Sequence, residues 1–241
     1  RVLFRSNAFA AVPQADGRLV AYASTQMPHV MHPKLAQALN LAVEQVRVIT
    51  PDVGGGFGGK AGSYTEYSAV AAAALRLGRP VCWVETRSED FVGLVHSRAQ
   101  VQYVELGCRR DGTFTGLRAR IVGDSGAYPG VGTMLPAGTK RMSQGVYRLP
   151  KLAVEVACAT TNTTQTGAYR GAGRPEAASM VERIVDMAAR QLGLDPVDIR
   201  RRNFLTPDQF PYDTLTGVTY DSGDYDVALT EVLRRAGYAE L

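Results

Sequence analysis

Five glycines surround one aromatic residue in the glycine loop, Val53-Gly54-Gly55-Gly56-Phe57-Gly58-Gly59-Lys60. Glycine loses more conformational freedom on folding than any other residue, so this cluster indicates backbone that adopts positive φ values or approaches another group closely. The sequence predicts a strand before the loop, over Gln45–Thr50, and an alanine-rich helix after it, over Ser63–Leu77. We therefore expect the loop to lie against a bulky bound group, with Phe57 pointing at that group.

Two nucleotide-binding motifs also fit the letters of the glycine loop. A phosphate-binding P-loop is disfavoured, because Ala61 has no hydroxyl to hold Mg²⁺. A dinucleotide-binding fold would use Glu85, at the end of a predicted strand, to bind a ribose. However, Pro51 and Asp52 separate the preceding strand from the glycines, and Gly62 delays the following helix. A dinucleotide-binding dehydrogenase is the weaker alternative, and it stays open at this point.

A second loop, Thr166-Gly167-Ala168-Tyr169-Arg170-Gly171-Ala172-Gly173-Arg174-Pro175, precedes a predicted helix. Its glycines permit close approach, and Arg170 and Arg174 each offer a fixed fork of donors. The loop also leads into a helix N-terminus, where backbone amides favour negative charge. The pattern predicts a site for an oxyanion, and the alternative is that both arginines form surface ion pairs.

Short alternating stretches and helical stretches are mixed along the chain, which indicates an α+β fold. Asp111-Gly112 predicts a hairpin between two long strands. The predicted helix Pro175–Leu192 has one apolar stripe, consisting of Ala178, Val181, Val185 and Ala188. Further predicted strands are Leu19–Ser24, Val81–Thr86, Ala99–Cys108, Thr113–Asp124 and Ala153–Thr161, and further predicted helices are Pro33–Leu41, one beginning at Asp195-Pro196, and Tyr225–Arg235.

Composition narrows the class of protein. The 27 Lys and Arg residues and 23 Asp and Glu residues are scattered along the chain, which is not typical of a nucleic-acid-binding surface. Cys82, Cys108 and Cys158 are far apart, so they predict neither a disulfide framework nor a CxxC metal site. Apolar runs stay well short of the roughly 20 residues that a membrane span needs. We expect a cytoplasmic protein.

The two ends of the sequence suggest that it is part of a longer protein. Residues 1–6 include Leu3-Phe4-Arg5-Ser6, which resembles read-through of a sequencing adapter, so we interpret them as a non-native end. We interpret residues 7–241 as part of one domain whose upstream and downstream portions are missing.

Three segments occur in the order and separation found in the large subunits of molybdenum hydroxylases. They are Ser24-Thr25-Gln26-Met27-Pro28-His29, Gly54 to Lys60, and Ala168-Tyr169-Arg170-Gly171-Ala172-Gly173-Arg174-Pro175. The chain resembles this family, which includes xanthine dehydrogenases, aldehyde oxidases and aerobic carbon monoxide dehydrogenases, from about Leu19 to Leu241. The later segment Tyr220-Asp221-Ser222-Gly223 is most similar to the carbon monoxide dehydrogenase branch. The resemblance implies an α+β fold that forms part of the molybdenum-cofactor-binding domain.

The resemblance also implies the site. Gln26 would donate to the apical oxo ligand of molybdenum, Phe57 would lie beside the substrate, and Arg170 and Gly171 would face the equatorial ligands. A neutral amide suits this task because it donates a hydrogen bond without adding charge. The implied cofactor-binding residues are Gln26, Gly55, Gly56, Phe57, Gly58, Arg170 and Gly171, with Gln26, Phe57 and Arg170 as the catalytic set and no residue that ligates the metal directly. We expect these three to converge on one concave site, within roughly the 10 Å span of a small ligand pocket.

The reaction implied by the resemblance is hydroxylation of an aldehyde, an N-heterocycle or a similar substrate with oxygen derived from water. The implied cofactor is molybdenum–molybdopterin, in its cytosine dinucleotide form if the protein is bacterial. FAD on a medium subunit and [2Fe–2S] on a small subunit would complete a dimer of heterotrimers. The catalytic glutamate of the family would lie beyond Leu241, so the isolated chain is expected to be inactive. A non-catalytic binding fragment is therefore a second alternative.

Departures from the family's patterns narrow the substrate. Xanthine dehydrogenases have an acid and an arginine at the positions of Ala61 and Gly138, so the resemblance argues against purine oxidation. Copper-dependent carbon monoxide dehydrogenases have a cysteine at the position of Gly171, because Cu(I) prefers a thiolate. Cys158 lies well upstream on a predicted strand. The chain is thus most similar to the cysteine-free form, and carbon monoxide oxidation is the alternative activity.

Overall fold

The computed structural model describes residues 6–240, which form two compact units. The described part of the first unit comprises residues 6–97 and 162–170, and that of the second unit comprises residues 98–161 and 171–240. Residues 1–5, which are most of the segment expected to be non-native, lie outside the described residues. Each unit combines helices with a sheet, which confirms the α+β prediction. Over residues 6–240, no helix is long and apolar enough to cross a membrane.

The first unit is built on a mixed four-stranded sheet. Its strands are β1 (Ala8–Pro13), β2 (Leu19–Ala23), β3 (Val46–Ile49) and β4 (Val81–Val84). They lie in the order β3-β2-β1-β4. β1 is antiparallel to both β2 and β4, whereas β2 and β3 are parallel. Because β2 and β3 run in the same direction, the segments that follow them, which carry Gln26 and the glycine loop, leave the sheet at the same end.

Three helices complete the first unit: α1 (Pro28–Ala38), α2 (Thr65–Leu77) and α3 (Arg87–Gly93). α2 buries Tyr67, Ala71 and Ala74, which lie on one face at helical spacing. The ring of Tyr67 stacks on that of Phe9 in β1, with centroids 5.0 Å apart. The glycine loop connects β3 to α2, so packed elements hold both of its ends.

The second unit contains a three-stranded sheet in which a hairpin is extended by a parallel strand. Its strands are β5 (Gln100–Cys108), β6 (Phe114–Asp124) and β7 (Leu152–Ala159), in that order across the sheet. The hairpin turns at Asp111-Gly112 as predicted, and Gly112 has a φ of +88°. A small antiparallel pair, β8 (Tyr212–Asp213) and β9 (Thr219–Tyr220), lies later in the chain.

The helices of the second unit are α4 (Leu135–Met142), α5 (Arg174–Leu192), α6 (Pro196–Asn203) and α7 (Tyr225–Ala236). Tyr147 lies at the centre of the core, edge-on to Phe114 and stacked on Phe204. The Asn203 side chain is 2% exposed. It accepts from the Phe114 amide and donates to the carbonyl oxygens of Gly112 and Ile199. A single buried amide thereby joins the hairpin to the end of α6.

The structure corrects two of the predicted helices. α1 begins at Pro28, five residues before the predicted start, and Pro33 lies inside the helix. Proline suits the first turn of a helix, and either proline could have begun this one. In α5, Ala178 is exposed and Ala177 is buried instead, so the inward face is shifted by one residue at the start of the helix.

Five helices and strands were absent from the sequence prediction, namely β1, α3, α4 and the short strands β8 and β9. β1 is rich in alanine, which is depleted in strands. α3 carries a signal that could have been recognised. Thr86 and Glu89 form a capping box in which each side chain accepts from the other residue's amide.

Candidate functional site

Gln26 lies on the connection between β2 and α1, where the end of the glycine loop fixes its main chain. The Gln26 amide donates to the Lys60 carbonyl oxygen at 3.0 Å, and the Thr25 hydroxyl donates to the same oxygen at 3.1 Å. The side-chain Oε1 of Gln26 accepts from the Gly58 amide at 2.8 Å. Over residues 6–240, its Nε2 has no hydrogen-bond partner. The glycine loop therefore orients an exposed carboxamide whose two N–H donors stay available.

The composition of the glycine loop follows from how closely other segments approach it. A Cβ on Gly56 would overlap Oε1 of Gln26, and a Cβ on Gly58 would overlap the main-chain oxygen of Ala168. Gly58 has a φ of +98° and Gly55 a φ of +149°, which side-chain-bearing residues rarely adopt. Both reasons that the sequence suggested for the glycines, positive φ and close approach, are present.

The segment 162–170 is the third component of the first unit's site. Its Gly167 amide donates to the His96 carbonyl oxygen at 2.7 Å, which attaches the segment to the chain after α3. Further along, the Arg170 amide donates to the Phe57 carbonyl oxygen at 2.9 Å. The later part of the segment is therefore held at two points, and the second of them is the glycine loop itself.

Phe57 and Arg170 also meet through their side chains. The guanidinium carbon of Arg170 lies 5.9 Å from the centroid of the Phe57 ring, which is within cation–π range. Phe57 has a φ of +50°, although it is not glycine, and its side chain is 41% exposed. A non-glycine residue in this conformation is strained, and such strain often accompanies functional sites. The strained backbone presents the aromatic ring at the surface of the unit.

The structure thus brings Gln26, Phe57 and Arg170 together within the first unit, through Gly58 and the segment 162–170. Gly171 begins the second segment of the second unit. It has a φ of +96°, and a Cβ there would lie 2.6 Å from Cδ of Pro175. A side chain at position 171 would therefore require the Pro175 ring to shift, and its backbone conformation would be strained.

A buried polar cluster next to the loop was not among the predicted site residues. Lys60 is 4% exposed and Glu85 is 6% exposed. Burial lowers the pKa of Lys60, while the negative charge of Glu85 acts in the opposite direction. Burial raises the pKa of Glu85, whose Oε2 accepts from the Asn7 amide at 2.8 Å. Glu85 thus lies near enough to Lys60, the last residue of the loop, for their charges to interact. Sequence reasoning missed this proximity, because Glu85 was considered only as a ribose ligand.

The structure rules out the dinucleotide-binding alternative. β1 is antiparallel to both of its neighbours, whereas the dinucleotide-binding fold needs a mostly parallel sheet. The helix after the glycine loop begins only at Thr65, so its N-terminal amides do not follow the glycines directly. Glu85 is buried and bonded to Asn7, which leaves it unsuited to hold a ribose.

The predicted anion site at the start of α5 is only partly available. The Gly173 amide already donates to Oε2 of Glu176 at 3.0 Å, and Arg98 pairs with the same oxygen at 2.8 Å. Glu176 is 7% exposed. Glu176, in the first turn of α5, therefore already accepts from the Gly173 amide, a donor that was expected to bind an oxyanion.

The residues of the first unit suit a molybdenum–pterin group. Such a group presents oxygen and sulfur atoms that accept hydrogen bonds. Gln26 offers a neutral N–H donor, and the Gly58 amide holds the oxygen of the same carboxamide in place. The glycines at 56 and 58 have only hydrogen where a Cβ would collide, so the backbone of the loop can lie directly against Gln26 and Ala168. Among the described residues, no group of three His, Cys, Asp or Glu side chains is placed to hold a metal ion.

Comparisons with known proteins agree with this chemistry. Residues 5–204 match the family described as the molybdopterin cofactor-binding domain. The chain is 39% identical over 226 residues to the carbon monoxide dehydrogenase large chain of Hydrogenophaga pseudoflava, covering 92% of this chain and 28% of that one. Thus the chain spans less than a third of this relative's length.

Two solved structures, each 33% identical in sequence, share the fold. Quinoline 2-oxidoreductase from Pseudomonas putida 86 matches with a TM-score of 0.90 over 97% of this chain and 31% of that chain. The Cu,Mo-CO dehydrogenase matches with a TM-score of 0.92 over 98% of this chain and 30% of that chain. Because the family match alone takes in most of the sequence, the chain belongs to the molybdopterin cofactor-binding domain family of molybdenum hydroxylase large subunits.

Proposed function

We propose that the chain forms part of the molybdenum site of an oxidoreductase that hydroxylates an aldehyde, an N-heterocycle or a similar organic substrate with oxygen derived from water. The observation that carries this proposal is the fixed carboxamide of Gln26, whose oxygen is held by the Gly58 amide and whose nitrogen is open. Phe57 and Arg170 lie on the same loop system.

Each of these residues has a separate task. When bound, the molybdenum–molybdopterin group supplies the two-electron oxidation and the oxygen transfer. Gln26 holds this group by donating from Nε2, and it needs no reorganisation because its oxygen is already bonded. The exposed ring of Phe57 offers an apolar face for a planar substrate. Arg170 fixes the carbonyl of Phe57 through its own amide and so sets where that ring lies.

The test compares Gln26→Leu with Gln37→Leu in the full-length enzyme. Gln37 is exposed on α1, so the control makes the same chemical change away from the site. We expect Gln26→Leu to lower kcat by roughly 100-fold, which is typical for loss of one preorganised donor. Unfolding by urea should be the same for both variants. Equal kcat values for the two variants would contradict the role of Gln26.

Carbon monoxide oxidation is the second candidate, because the chain is 39% identical to a carbon monoxide dehydrogenase large chain. Gly171 argues against a copper-dependent form of it. The position lacks a thiolate, and its φ of +96° and the closeness of the Pro175 ring disfavour any side chain there. We propose a copper-free enzyme that prefers an organic C–H substrate. Elemental analysis of the full-length enzyme, together with a CO-dependent dye-reduction assay, tests this. Stoichiometric copper with rapid CO oxidation would refute it.

We also propose the rest of the assembly from the resemblance. FAD on a medium subunit and [2Fe–2S] on a small subunit would carry electrons away, in a dimer of heterotrimers located in the cytoplasm. The name "large chain" of the Hydrogenophaga pseudoflava relative supports a complex of several subunits. The pterin would be the cytosine dinucleotide form in a bacterial enzyme. Co-purification of a tagged full-length subunit, with cofactor analysis of each subunit recovered, tests these assignments.

A further inference from the structure

A cavity of about 430 Å³ in the second unit has no role in the site described above. α4, the turn before α4 and the first residue of α5 line it. The volume lies in the range of small-molecule sites, about 300–1,000 Å³. Its lining includes two methionines, two arginines, an alanine and a glycine, namely Met134, Met142, Arg141, Arg174, Ala137 and Gly138.

The lining residues of α4 lie on one side of the helix. Arg141 follows Ala137 by four residues and Gly138 by three, which is the spacing of neighbours on a helix surface. Gly138 lets the loop before α5 approach α4 closely. A Cβ there would lie 3.0 Å from the Ala172 carbonyl oxygen, which would have to move. Met134 and Met142 supply flexible thioether side chains that adapt to an apolar ligand.

The two arginines have no acid to neutralise them. Among residues 6–240, neither Arg141 nor Arg174 has a carboxylate within 4.0 Å. Arg174 donates from Nη1 to the Gly171 carbonyl oxygen at 3.3 Å, and its other donors stay open. Two solvent-exposed guanidinium groups therefore line the cavity without a carboxylate partner among residues 6–240.

The two arginines lie at opposite ends of their helices, so the helix dipoles act on them differently. Arg141 lies in the last turn of α4, where the helix dipole favours a cation, so its charge there has a local reason. Arg174 is the first residue of α5, where the dipole disfavours a cation. Local helix energetics therefore do not account for Arg174, whereas an anion in the cavity would.

We propose that this cavity binds a small organic carboxylate with an apolar body. The carboxylate accepts from the guanidinium groups of Arg141 and Arg174, and the body packs against Ala137 and the two methionines. Arginine suits this task because its planar fork matches the geometry of a carboxylate. The inference goes beyond the proposed function and does not depend on it.

The binding test uses the full-length, cofactor-loaded subunit and equilibrium dialysis of radiolabelled benzoate, benzyl alcohol and acetate. We expect saturable benzoate binding at one site, and at least roughly 10-fold weaker binding of the other two probes, which lack either the charge or the ring. Arg141→Gln and Arg174→Gln should each weaken benzoate binding roughly 10-fold. Arg183→Gln, an exposed change elsewhere on α5, should leave it unchanged.

Three results would overturn the proposal. Benzyl alcohol could bind as tightly as benzoate, which would show that the carboxylate and its pairing with arginine do not contribute to binding. The two arginine variants could behave like Arg183→Gln. Benzoate could bind only to the cofactor-free subunit, which would assign the cavity to the phosphate of the pterin instead.

Discussion

Replacing Gly58 with alanine should damage the first unit in two ways. Gly58 has a φ of +98°, and a side-chain-bearing residue in the left-handed region costs about 1–2 kcal/mol. The added Cβ would also overlap the main-chain oxygen of Ala168. Displacing well-packed neighbours typically costs about 1–3 kcal/mol, so the total loss should be roughly 2–5 kcal/mol.

Gly17 provides a matched control for the conformational cost. It lies in the turn between β1 and β2 with a φ of +83°, and a Cβ there would meet nothing within 4 Å. Gly17→Ala should therefore cost only the backbone strain of about 1–2 kcal/mol. The difference between the two variants isolates the cost of pushing Ala168 away from the glycine loop.

The assay is urea unfolding of the full-length subunit, combined with measurement of its molybdenum content. We expect Gly58→Ala to be less stable than Gly17→Ala by about 1–3 kcal/mol. The molybdenum content should fall in Gly58→Ala alone, because only that change moves the amide that fixes Gln26. Equal stability losses with equal molybdenum content would refute the argument that Ala168 constrains this loop.

Three further predictions concern the second unit and the chain as a whole. Asn203→Ala should lower the free energy of unfolding by roughly 3 kcal/mol, because three buried backbone groups lose a partner; a loss no larger than that of the exposed Asn162→Ala would contradict this. The Asp195 carboxylate accepts from the Val197 amide, which lowers its pKa, so its stabilisation is present above the unfolded pKa and lost as pH falls through the lower folded value. Asp195→Asn should flatten the acid limb of stability measured by urea unfolding from about pH 5 to pH 2, and an unchanged limb would be evidence against the cap. The isolated 241-residue chain should oxidise no aldehyde or heterocycle while the assembled full-length enzyme does, since loss of a general base costs about 10²–10⁴ in rate; turnover by the fragment alone would disprove this.

Local signals predicted the elements whose ends are determined by a few residues. Asp195 before Pro196 indicates the start of α6, and its carboxylate does cap the helix. Gly78 ends α2 in the left-handed conformation that glycine favours. The start of α1 was predicted wrongly, because Pro28 and Pro33 could each begin a helix and this helix begins at Pro28.

The candidate site was predictable in its members but not in its construction. Motif order pointed to Gln26, Phe57 and Arg170 before any geometry was known, although their individual roles stay predictions. The contact that explains Gly58 is the Ala168 carbonyl, which no spacing rule relates to the glycine loop. The burial of Lys60 and Glu85 beside the loop could not be predicted either, because it depends on the packing of segments that are distant in sequence.

The first unit is discontinuous in sequence, and this affects how it can be made. Residues 162–170 belong to it although most of the second unit's sheet is encoded before them. During synthesis, a ribosome that has released residues 6–97 has not yet supplied the strand bridge to His96 or the amide that binds Phe57. More than a hundred residues separate Phe57 from Arg170, so closing this contact is a long-range step that slows folding. The hydrogen bond from the Arg170 amide to the glycine loop can therefore form only after translation has passed Arg170.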